Sequence, residues 1–147
     1  MKARCTAPVE YEMVDHTADL GIIVRGCNLA DLFARAGAAL ADLQYDPSTV
    51  RETSHREVRL EEPDQEVLLV RFLNELIVLR EVEDFLWRVV EVDMDEKGRL
   101  HACLTGERFD EARHSPRTGL KAATYHQLRV EPGAGGMGQA ARIILDV

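Results

Sequence analysis

Residues able to do chemistry gather at two places in this 147-residue chain. Asp15-His16-Thr17-Ala18-Asp19 holds two carboxylates and an imidazole on a short segment. The last two residues, Asp146-Val147, set a side-chain carboxylate beside the terminal one. Carboxylate oxygens suit hard cations such as Ca2+ and Mg2+. The spacing lacks the dense oxygens of an EF-hand loop, so the first segment reads equally as an Asx-type turn with solvated acids. Asp146 adds weight to the metal reading. A carboxylate in an otherwise apolar final strand, after Ile143-Ile144-Leu145, must be paired, ligated or exposed. If the last strand lies beside the first, three carboxyl groups converge and need positive charge. A divalent ion is one solution. Lys121, which opens the segment Lys121-Ala-Ala-Thr-Tyr-His126, is another, set against its reading as a solvated strand-end lysine.

The elements that must position these residues follow from periodicity. Tyr11 to Asp15 and Leu20 to Arg25 read as strands, with Gly26 closing the second. Asn28 caps a helix whose apolar residues Leu29, Leu32, Phe33, Ala36, Leu40 and Leu43 recur at helical spacing to about Gln44. Ser54 to Leu60 reads as an edge strand. Asp64 caps a second helix, whose broad stripe (Val67, Leu68, Phe72, Leu76, Leu79) predicts that it is the central one. Phe85 to Asp93, Leu100 to Glu107 and Lys121 to Val130 alternate as strands. Glu96-Lys97-Gly98 turns between the first two, and residues 108–119 form a polar loop. Gly133 to Gly138 reads as a flexible hairpin end. Ala140 to Val147 is mostly apolar and reads as a strand buried on both faces. The expected fold class is therefore α+β, with two helices packed on a mixed or mostly antiparallel β-sheet. The expected organisation is a flexible tail over residues 1–8 and one domain over residues 9–147.

Composition narrows the function. A formal net charge of −8 repels phosphate backbones, so direct salt-driven nucleic-acid binding is not expected, and any RNA role runs through a protein partner. Cys5, Cys27 and Cys103 are odd in number and lack a CxxC pairing, which suits reduced thiols in the cytoplasm. No apolar run approaches the ~20 residues needed to span a bilayer. His55, His101 and His126 sit in alternating strands without spaced partners and read as structural or solvated. Gly133 to Gly138 is no phosphate loop, lacking both the Gly-Lys-Ser/Thr ending and a following helix. No serine has a nucleophile-elbow context.

The chain resembles the archease family along nearly its whole length. The resemblance rests on Tyr11 with Asp15 to Ile22, on Gly26, on Leu32-Phe33, and on Leu68-Leu69 through Phe72-Leu73-Asn74-Glu75-Leu76. It continues through Gly106-Glu107, His114, Lys121 to His126, and the terminal Ile144-Leu145-Asp146-Val147. Leu120 departs from the pattern, since many relatives carry an acid there. The glycine-rich loop departs as well.

That resemblance implies an accessory protein of the GTP-dependent RtcB-type RNA ligase, which seals tRNA halves in splicing and other RNA ends. Archeases promote ligase guanylylation and multiple turnover. They bind a divalent metal ion, recorded as calcium, with Mg2+ or Mn2+ as alternatives. By the same resemblance the metal ligands are Asp19, Asp146 and Val147. Asp15 and His16 lie behind them or serve as alternative ligands, and Lys121 matches a lysine needed for ligase activation. Two other functions remain open. One is a stand-alone metal-dependent phosphoester hydrolase using the same carboxylates. The other is a chaperone-like binding module in which the acids only balance charge.

Overall fold

A computed structural model describes residues 1–14 and 19–147. Its strands are β1 (Lys2–Thr6), β2 (Glu12–Val14), β3 (Leu20–Gly26), β4 (Ser54–Glu61), β5 (Phe85–Met94), β6 (Arg99–Arg108), β7 (Ala122–Pro132) and β8 (Gln139–Asp146). Its helices are α1 (Leu29–Gln44) and α2 (Gln65–Val82). The α+β class with two helices is borne out. The strands divide into two antiparallel sheets of four, ordered β1-β5-β6-β4 and β2-β3-β8-β7. α1 packs on β1 and β5 of the first sheet and on β3 and β8 of the second. α2 packs on β4 and β5 of the first and on β7 of the second. The helices therefore lie between the sheets, and each sheet keeps one open face.

α1 is the more deeply buried helix, which corrects the expectation for α2. Twelve of its sixteen residues are buried, against seven of eighteen in α2. The physical reason is side-chain size. Ala30, Ala34, Ala36, Ala38, Ala39 and Ala41 are all fully buried, so α1 can approach sheets on both sides. Its start is fixed by reciprocal caps: the Asp31 N–H donates to Asn28 Oδ1 at 2.9 Å, and the Cys27 N–H donates to Asp31 Oδ2 at 2.8 Å.

Residues 2–6 are strand rather than flexible tail. Ala3 and Cys5 alternate inward against the core, while Lys2, Arg4 and Thr6 face out. β1 thereby covers the edge of β5, with Arg4 opposite Glu91. In β5 the pairing with β6 shifts between Trp87 and Val89. The Tyr45 hydroxyl fills that irregularity. It donates to the Trp87 carbonyl and accepts the Trp87 N–H, each at 2.7 Å. Trp87 itself donates Nε1–H to the Gly37 carbonyl of α1 at 2.9 Å. No helix among the described residues is long and apolar enough to cross a membrane.

Candidate functional site

Strand register brings the two ends of the chain together. β3 and β8 run antiparallel with Leu20 opposite Leu145. Asp146, the last residue of β8, is therefore a neighbour of Asp19, which immediately precedes β3, one step beyond that pair. β8 is also paired with β7, Ala122 opposite Asp146, and the Lys121 N–H donates to the Asp146 carbonyl at 2.8 Å. Asp19, Asp146 and Lys121 thus share one end of the second sheet. Asp19 and Asp146 are half-buried, whereas Lys121 and Val147 are exposed. Asp15 and His16 lie outside the described residues. Among the described residues no group of three or more His, Cys, Asp or Glu stands ready to hold a metal ion. What the described part of this end offers is carboxylate oxygen, from Asp19 and Asp146. That donor chemistry fits a hard divalent cation and not a thiophilic one.

Four contacts hold this end in place. Tyr11, at the start of the N-terminal motif, donates its hydroxyl proton to Asp42 Oδ2 of α1 at 2.8 Å. Burial and that hydrogen bond push the Tyr11 hydroxyl up to about 12. Asp42 also accepts from Arg117 Nη1 at 3.0 Å, which ties in the loop that leads to Lys121. Asn74 of α2 clamps the start of β7: its Oδ1 accepts the Ala123 N–H at 2.8 Å, and its Nδ2 donates to the Ala123 carbonyl at 3.1 Å. Leu120, the residue that departs from the family pattern, is buried and anchors the chain immediately before Lys121.

The loop between β6 and β7 is pinned by a buried charge cluster. Glu107 accepts from the Arg51 N–H at 2.7 Å, from Arg113 and from His114 Nε2 at 3.1 Å. Burial alone would raise the Glu107 carboxyl, but these donors outweigh it and hold it at about 2. The Asp110 N–H donates to His114 Nδ1 at 2.9 Å. Nδ1 is thus an acceptor, and the ring proton sits on Nε2, facing Glu107. His114, one of the residues carrying the resemblance, is a buried loop pin rather than a ligand. His101 pairs with Glu57 at 2.9 Å and His55 with Thr105 at 3.0 Å, both in the first sheet and away from this end. His126 is exposed in the irregular stretch of β7 between Thr124 and Arg129. Cys5, Cys27 and Cys103 are free thiols.

Asn74 and Glu107 are among the residues that carry the resemblance, but their contacts are not readable from the sequence. By pattern alone, Asn74 is a polar residue within an otherwise apolar helical run. The Glu107–Arg113 pair joins a strand end to a loop, and no periodicity flags it.

A model described as the archease protein family matches residues 11–147. The chain belongs to that family. The archease of Sulfurisphaera tokodaii is 37% identical over 123 residues, covering 83% of this chain and 88% of its own. The archease of Methanosarcina mazei is 35% identical over 142 residues, covering 94% and 96%. The solution structure of Methanobacterium thermoautotrophicum protein 1598 superposes with a TM-score of 0.77 at 30% identity, over 93% of this chain and 98% of that one. The archease match begins at Tyr11, so β1 precedes it. Within the archease match fall Asp19, Asp146 and Lys121, the Asn74 clamp and the Glu107–His114 pin.

Proposed function

We propose that this archease is a non-enzymatic activator of an RtcB-type, GTP-dependent RNA ligase in tRNA splicing and RNA repair. It promotes ligase guanylylation and multiple turnover. The observation that carries the reading is the strand register at one end of the second sheet, where Asp19, Asp146 and Lys121 meet. In this proposal Asp19, Asp146 and Val147 hold a divalent cation, Ca2+ foremost and Mg2+ or Mn2+ otherwise. Asp15 and His16 stand behind them or ligate in their place. A bound cation supplies positive charge toward phosphate oxygens. The protein's own residues do the rest. Asp146 at the end of β8 and Asp19 just before β3 orient their oxygens at this end, the Lys121 ammonium faces the partner from an exposed position, and Asn74 fixes the strand that follows it. The net charge of −8 supports contact with the ligase protein and only an indirect role for RNA. The three free thiols support a reducing compartment, the cytoplasm.

A guanylylation assay with the ligase from the same source tests this. Wild type stimulates, and folded Asp19→Ala, Asp146→Ala and Lys121→Ala variants lose at least tenfold of the stimulation. Full stimulation by all three sinks the proposal. Phosphoester turnover with metal and no ligase would replace it with the hydrolase reading.

A further inference from the structure

The open face of the second sheet carries a groove of about 540 Å³, lined by Ile23, Arg25, Gln127, Arg129, Glu131 and Arg142 among others. Its charge arrangement is costly without a ligand. Arg129 of β7 stands directly opposite Arg142 of β8, and like charges directly opposite in an antiparallel pair destabilise it. Among the described residues neither arginine has a carboxylate within ion-pair distance. Glu12 is engaged with Arg25 at 3.0 Å, and Glu131 sits two pairs further along, opposite Ala140. Arg142 Nε is buried without a hydrogen-bond partner, a state that buried donors rarely keep. Among the described residues the only side-chain acceptor Arg142 reaches is Gln127 Oε1, at 3.4 Å from Nη2. Gln127 sits at φ 51°, a left-handed conformation costly for a residue with a side chain, in the irregular stretch of β7.

We infer that this groove binds a phosphate group, held between the guanidinium groups of Arg129 and Arg142. Two planar forks match the oxygens of a phosphate, and a dianion neutralises both charges where a single carboxylate would neutralise one. Arg142 and Asp146 occupy alternate positions on the same face of β8. They are four residues and therefore ~13 Å apart, so the phosphate groove is distinct from the carboxylate end. The inference does not depend on the ligase reading.

Isothermal titration calorimetry of the full chain with inorganic pyrophosphate at low salt tests it. Wild type binds at one saturable site. Arg129→Gln and Arg142→Gln each weaken binding at least tenfold, while Arg59→Gln, on the open face of the first sheet, leaves it unchanged. A melting experiment gives a second readout. Pyrophosphate raises the Tm of wild type but not of Arg129→Gln, and ligand-free Arg129→Gln melts no lower than wild type because the like-charge pair is gone. No saturable binding to wild type overturns the inference. So does unchanged binding in Arg129→Gln, or equal weakening in Arg59→Gln. A 5′-phosphorylated ribodinucleotide separates the sources. If it binds at least tenfold tighter than pyrophosphate, the site takes a nucleic-acid end. If it binds equally or more weakly, the site takes a free phosphate. Either result supports the groove.

Discussion

Glu107 accepts from Arg51, Arg113 and His114 at once, so its replacement strands several buried donors together. Glu107→Gln keeps the shape but removes the anion. The expected cost is ~1–3 kcal/mol, the penalty for leaving charged or polar groups unsatisfied. That lowers Tm by roughly 3–10 °C in a chain of this size, measurable by thermal melting. The pH dependence follows the same residue. Its folded value of about 2 lies below the ordinary 4.5, so the stability it contributes is complete above pH 4.5 and is lost as pH falls toward 2. Acid unfolding of wild type is therefore steeper across that window than acid unfolding of Glu107→Gln. At this scale the sequence was legible where a residue contradicts its surroundings. Asp146 in an apolar strand is such a residue. Glu107 stood out by resemblance alone, because its partners Arg51 and Arg113 come from a loop path that no local pattern encodes. His114 stood out by resemblance, yet its role emerges only from which ring nitrogen accepts the Asp110 N–H.

Among elements, β7 matters most to the candidate site, because Lys121 immediately precedes it. Two contacts fix its start: the backbone bond to Asp146 and the Asn74 clamp. Asn74→Ala leaves the Ala123 N–H and carbonyl without their side-chain partner, a loss of ~1–3 kcal/mol. Amide exchange at Ala123 should accelerate, and ligase stimulation should fall without loss of the fold. Unchanged exchange at Ala123 would show that the clamp does not hold the strand. Both helices and seven of the eight strands were readable as periodic segments with caps and turns. β1 was not, because five residues of alternating mixed character, Lys2 to Thr6, carry too weak a pattern to outweigh the bias that chain ends fray. The burial ranking of the helices was misread for a different reason. A wide stripe of Leu, Val and Phe suggested a central helix, but small alanines allow the closer approach on two sides. The irregularity in β7 was also hidden, because Tyr125, His126 and Gln127 fit an alternating strand until the partner register is known.

For the whole molecule, the proposed site joins residues more than a hundred positions apart, held by pairings of β3 and β7 with β8. An added segment after Val147 should disturb this end more than one before Met1. The proposal therefore expects a C-terminal tag to weaken divalent-cation binding at least several-fold relative to an N-terminal tag, as read by calorimetry with Ca2+ or Mn2+. Equal affinities would remove Val147 from the ligand set. The division of the fold into two sheets also governs the order in which the chain can assemble. Every strand of the first sheet has been synthesised by Arg108, and both helices precede that point. The second sheet cannot close until β8 arrives, since β8 sits between β3 and β7. β3, paired early only with β2, must therefore wait through the synthesis of more than a hundred residues for its second partner β8, the kind of long loop closure that slows folding. The expected pathway has a first sheet with its helices formed early and the site-bearing sheet docking last. Pulse-labelled amide exchange during refolding should protect Val90 and Leu104 before Ile22 and Ile143.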